Sequence, residues 1–138
     1  MNSAAMRRNN RRRGAALVEA TLVGLAFGLL LFGVIEGAML TWHYNTITNA
    51  VRQGARAASI HGFNDAISDD AIAEEVRASA FGLDPALVQT TLIWLNGRKR
   101  GASFELRAAY VHRMFLLGYI FLDSVIKLSS RTIGVIQN

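Results

Sequence analysis

The first strong pattern in the chain is an uninterrupted apolar run. From Ala20 to Ile35 there is no charged residue. Residues 15 to about 40 form a stretch long enough to cross a membrane, because roughly 20 residues rising 1.5 Å each span a hydrocarbon core of about 30 Å. Trp42 and Tyr44 follow it, where an aromatic belt anchors the outer interface. The pattern then turns amphipathic. Tyr44, Ile47, Val51, Ala55 and Ala58 recur at spacings of three and four, while Asn45, Asn49, Arg52 and Arg56 line another side, which predicts that the helix continues beyond the membrane. His61, Gly62, Phe63 and Asn64 end it.

Ser68, Asp69 and Asp70 predict the start of a second, short helix through about Phe81, with acids at its positive end and Gly82 beyond its last turn. Asp84-Pro85 is a turn. After it the period changes to two. Ala86 to Leu95 and Ala102 to His112 have strand character, the latter alternating Phe104, Leu106, Ala108 and Tyr110 against Glu105, Arg107 and Ala109. Asn96 to Gly101 between them is a charged, glycine-flanked hairpin loop, and Val125 to Val135 predicts a third strand. The fold class is α+β: a long N-terminal transmembrane helix extending out of the membrane, then a short helix and a small antiparallel sheet. The organisation is 1–14 basic leader, 15–42 transmembrane helix, 43–61 amphipathic extension and 62–138 extracytoplasmic domain. The polar residues 1–14 have no hydrophobic period and are expected to be disordered.

Charge sets the orientation. Five of the fifteen basic residues, Arg7, Arg8, Arg11, Arg12 and Arg13, precede Gly14, and beyond it ten basic residues face ten acidic ones. A basic tract abutting an apolar segment is a topology signal that holds the N-terminus in the cytoplasm, so nucleic acid is not the partner these arginines indicate. The chain has no cysteine, which excludes disulfides and thiolate metal sites. The part after the membrane segment is near the size at which a lone core is marginal, so help from neighbouring proteins is expected.

Within this frame Glu19 stands one helical turn inside the apolar segment. An ionisable group costs roughly 2.5 to 3.5 kcal/mol near mid-bilayer and less toward the interface, which makes it a functional candidate. Gly24 and Gly28 form one small-xxx-small pair and Gly33 and Gly37 another, and such pairs let membrane helices approach closely. Their nine-residue offset, at about 100° per residue, places them on roughly opposite faces. Two close-approach faces suit a bundle or filament. Ala50, Gly54 and Ala58 continue the small spacing outside the membrane, where a partner helix or the protein's own sheet could rest. Glu36 lies near the outer boundary, about 25 Å along the helix from Glu19, as a carboxylate in contact with water.

Three blocks in order resemble the TadE-like proteins, small pilin-like pseudopilins of tight-adherence (Flp-type, type IVb) pilus systems: Arg-Gly-Ala-Ala-Leu-Val-Glu at 13–19, Phe-Gly-Val-Ile-Glu-Gly at 32–37, and Asn-Ala-Val-Arg-Gln-Gly-Ala-Arg-Ala-Ala at 49–58. The resemblance covers about residues 12 to 60. It implies that a prepilin peptidase cuts after Gly14, leaving Ala15 as the mature N-terminus and Glu19 as its fifth residue. It further implies a minor role that initiates, caps or stabilises the pilus, with a related pseudopilin, pilus-assembly membrane proteins and the major Flp-type pilin as partners, in the bacterial inner membrane with the C-terminal domain in the periplasm. Ala20 stands where major pilins commonly carry tyrosine, which points to the pseudopilin branch. In physical terms, cleavage at Gly14 creates an α-ammonium at the membrane face that a neighbour's Glu19 can neutralise.

Other features add no chemistry. His43, His61 and His112 show no ligand spacing and are expected at the surface or in turns; no metal, cofactor or nucleotide site is indicated, and no nucleophile motif suggests an enzyme. Met114 to Leu122 is apolar but too short to span, and is expected as core beneath the sheet. An uncleaved anchored domain of other envelope machinery is the rival reading. An ordinary signal peptide ranks below it, because no Ala-x-Ala site follows the run.

Overall fold

The structure, a computed structural model, describes residues 3–63, 67–114 and 125–137, with backbone alone for 3–13. Its elements are α1 (Ser3–His61), α2 (Asp69–Ser79), a 3-10 turn (Pro85–Leu87), β1 (Val88–Trp94), β2 (Ser103–Arg113) and β3 (Val125–Val135). The chain is α+β, as its periodicities indicate. Contacts divide it into two units, Met1–Gly37 and Ala38–Asn138.

In the first unit α1 already begins at Ser3, which corrects the expectation of a disordered leader. Ala4, Ala5, Met6 and the arginines are strong helix formers, and neither glycine nor proline precedes Gly14. Gly14 itself leaves the helix unbroken. Between Gly14 and Gly37 the large apolar side chains are exposed among the described residues. Leu17 is 69 % exposed, and Leu22, Leu25, Phe27, Leu30 and Val34 are comparably bare. By length and composition this helix can cross a membrane.

In the second unit the α1 residues Ile47, Ala50, Val51, Ala55 and Ala58 are buried against α2 and the sheet. Helix α2 starts where Ser68 caps it, its hydroxyl accepting from the Ala71 amide at 3.1 Å. It buries Ile72 and Val76 and stops at Ala80, two residues before Gly82 turns the chain at φ +77°, a conformation that favours glycine. Asp84 then caps the 3-10 turn by accepting from Ala86 N.

The sheet is antiparallel in the order β1-β2-β3, with Leu92 opposite Leu106 and Leu106 opposite Thr132. Alternation sorts its faces. Val88, Phe104, Leu106, Ala108, Tyr110 and Leu128 point into the core, and each large apolar side chain removed from water contributes about 1.5–3 kcal/mol. Phe104 pairs with Gly134, and a Cβ on Gly134 would lie 2.4 Å from the Phe104 ring. That glycine makes room for the aromatic ring on a neighbouring strand. The end of β3 is tied to α1: Ser59 Oγ donates to Val135 O at 2.6 Å, and Gln137 N donates to Ser59 O at 2.9 Å. Apart from Met114, the apolar run to Leu122 lies outside the described residues.

Candidate functional site

The positions singled out along the apolar helix are presented to the outside of the chain. Gly14, Gly24, Gly28, Gly33 and Gly37 are open: a Cβ at any of them would meet no atom within 4 Å. Ala15 and Glu19 are exposed, and Glu19 has no ion-pair partner among the described residues. Thr21 satisfies its hydroxyl within the helix, donating to Leu17 O at 2.8 Å. The arginines Arg7, Arg8, Arg11, Arg12 and Arg13 lie in the helical backbone ahead of Gly14. Both small-xxx-small pairs thus have open space where a Cβ would stand. Glu36 differs from Glu19. It is half-buried, and its Oε1 is shielded without a hydrogen-bond partner among the described residues.

The small positions of the second unit are already occupied. Ala50 and Ala58 are fully buried in the core, and a Cβ on Gly54 would lie 2.4 Å from Val76 Cγ2 and 3.1 Å from Leu106 Cδ2. The protein's own α2 and sheet rest on this stripe. Trp42 stacks against Gly82, whose Cβ would fall 2.4 Å from the indole, yet the indole keeps half its surface open, as does Tyr44.

Two constellations escape the sequence pattern. His43 and His112, expected at the surface, are only 7 % exposed and meet Nδ1 to Nδ1 at 3.0 Å. Tyr110 approaches His43 edge-on and Trp42 lies beside it, at ring separations of 5.5 and 5.2 Å. Burial, reinforced by the neighbouring His112, holds the His43 pKa below the ordinary imidazole range; His43 belongs to the extension beyond the apolar segment. The signal for His112 was present, since it occupies the inward parity of Phe104 and Tyr110. The second constellation pins the hairpin to α2. Arg98 pairs with Asp69, donates to Ile67 O at 2.9 Å and lies 4.4 Å above the Trp94 ring, while Trp94 Nε1 donates to the same Asp69 at 3.0 Å. No spacing rule links residues 69, 94 and 98.

The outer sheet face is cationic. Arg107 and Arg131 stand opposite each other across β2 and β3, and Glu105 Oε1 accepts from Arg107 Nε and lies 3.6 Å from Arg131 Nε. The hydrogen bond from Arg107, and the positive charge of both arginines, hold the Glu105 pKa below the usual carboxylate range.

Comparison with known proteins adds a family. The model of the TadE-like protein family matches residues 14–56, the stretch that begins at Gly14 and carries Glu19, both glycine pairs and the buried Ala50 and Gly54. No curated protein and no solved structure matches the chain. The match links this segment, residues 14–56, to a family of tight-adherence pilus systems. Residues 14–56, which carry the apolar segment of α1, are what this chain shares with the TadE-like protein family.

Proposed function

We propose that this protein is a minor, pilin-like subunit that initiates, caps or stabilises a Flp-type adhesion pilus. It acts by helix packing and not by catalysis. A prepilin peptidase cuts between Gly14 and Ala15 on the cytoplasmic side of the inner membrane, and the domain stands in the periplasm. A related pseudopilin and pilus-assembly membrane proteins pack on the released helix, with the major pilin as a further partner.

The observation that carries this reading is the bareness of the helix from Gly14 to Gly37: an apolar surface with two open glycine faces and one unpaired carboxylate. Lipid hydrocarbon covers apolar side chains, but it offers no countercharge to Glu19. The new α-ammonium of a neighbouring mature helix does. Cleavage requires the helix to open locally, since α1 runs unbroken through the bond. Gly14 is its weakest point, because glycine is about 1 kcal/mol less favourable than alanine in a helix.

The test is capture of membrane partners by full-length protein from cells carrying wild-type or Glu19→Ala chains. Glu19→Ala is expected to insert and be cleaved normally but to lose its partners and the pili. Normal cleavage, normal capture and normal pili in that variant would remove the carboxylate's role in assembly.

A further inference from the structure

The outer face of the sheet and the outer face of α2 are complementary surfaces that one chain cannot bring together. On the sheet, odd-numbered β2 residues and their neighbours face away from the core. They present Arg107, Arg113, Lys127 and Arg131 against the single carboxylate of Glu105. Like charges directly opposite on neighbouring strands are unfavourable, yet Arg107 faces Arg131 with one carboxylate between them. Lys127 has no ion pair among the described residues. The cations wall a trough of about 500 Å³ lined by Gln89, Thr91, Arg107, Lys127, Ser129 and Arg131, with the small Ala109 in its floor. Exposed Ile93, Ile133 and Val135 lie farther along the same sheet face, in register with Glu105 and Ser103, which suits a protein surface better than a hydrated small anion.

Helix α2 offers the counterpart. Ile72 and Val76 face the core, so Asp70, Glu74 and Glu75 project outward beside the exposed small residues Ala71 and Ala78. Its one intrahelical pair, Arg77 to Glu74 at 3.2 Å, is solvent-exposed and holds little free energy.

We infer that the acidic face of α2 of one copy docks into the basic trough on the outer sheet face of a second copy. The two patches lie on opposite sides of the folded domain, α2 against the inner layer and the trough on the outer one. The contact is therefore heterologous: each copy gives one surface and receives on the other, a geometry that propagates as an open array unless its rotation closes. This rests on the reading of the protein as a pilin-like subunit, and it supplies a domain-level contact in addition to the helix bundle.

The absence of cysteine makes the test clean. Full-length Ala78→Cys and Ser129→Cys chains, in detergent micelles, are oxidised separately and mixed. The expected result is a disulfide dimer only in the mixture. Reversing the trough (Lys127→Glu with Arg131→Glu on the Ser129→Cys chain) lowers the yield at least about tenfold, since juxtaposed like charges cost several kcal/mol. Adding Glu74→Lys and Glu75→Lys to the Ala78→Cys chain restores it. Circular dichroism of each reversed chain establishes that it is folded. Equal dimer in either unmixed sample, a yield insensitive to reversal, or a trough that binds anionic phospholipid vesicles without forming the mixed dimer would overturn the inference. Loss of the mixed dimer while Glu19-dependent partner capture persists would overturn this contact alone and leave the pilin-like reading intact.

Discussion

Replacing Gly54 by alanine pits two opposed effects of known size against each other. In an exposed helix, glycine to alanine gains about 1 kcal/mol. Here the new Cβ would stand 2.4 Å from Val76 Cγ2 and 3.1 Å from Leu106 Cδ2, whereas carbon atoms rest at about 3.5–4.0 Å. Val76 and Leu106 are fully buried, and a valine in a helix has essentially one side-chain rotamer, so the methyl cannot swing aside without leaving its rotamer well. The layers must separate by roughly 1 Å. Overpacking of this kind costs about 1–3 kcal/mol, which exceeds the propensity gain. Gly54→Ala is therefore expected to destabilise the domain by about 1 kcal/mol. Val76→Ala removes the clashing methyls, and the pair should couple favourably by at least about 0.5 kcal/mol in a double-mutant cycle. Urea unfolding of the full chain in micelles, followed by the fluorescence of Trp94 and Trp42, measures both. Stabilisation by the full helix-propensity gain, with no coupling to Val76, would refute the packing described here.

Acidification should weaken the domain through His43. Its folded pKa is lowered by burial and by His112, so the unfolded chain binds more protons. Stability is then complete above about pH 6.5, the unfolded value, and declines as pH falls toward the folded pKa; His43→Gln should flatten that part of the unfolding-midpoint profile. Asp69→Ala removes the acceptor shared by Arg98 and Trp94, and should cost about 1–2 kcal/mol, read as faster amide exchange across residues 95–102. Gly14→Leu is expected to leave the uncut precursor in the membrane, visible as a single heavier band by immunoblot.

Much of this architecture was legible because it rests on local rules. Ser68 ahead of two aspartates sets the start of α2, alternation from Phe104 to Tyr110 sets the inward face of β2, and the glycines of the hairpin allow φ of +76° at Gly97 and +80° at Gly101. The bare apolar helix follows from composition alone. What escaped depends on meetings between distant positions. His43 read as a residue just past the membrane segment, and only the tertiary fold brings it to His112 from 69 residues away. Asp69, Trp94 and Arg98 converge because the hairpin folds over the start of α2. The leader is a different case. Its polarity suggested disorder, but polarity does not oppose a helix when alanine, methionine and arginine supply the propensity. Nor could the glycine spacing tell Gly54, packed by its own domain, from Gly24 and Gly28, where a Cβ would meet open space among the described residues.

The central claim is that the chain is a processed, pilin-like subunit, and the mass of its mature N-terminus tests it most directly. Protein extracted from its native membrane and measured by intact-mass spectrometry with N-terminal peptide sequencing is expected to begin at Ala15, without residues 1–14. A chain that retains those residues in cells with an active prepilin peptidase would contradict the account, and would make the protein a permanently anchored domain.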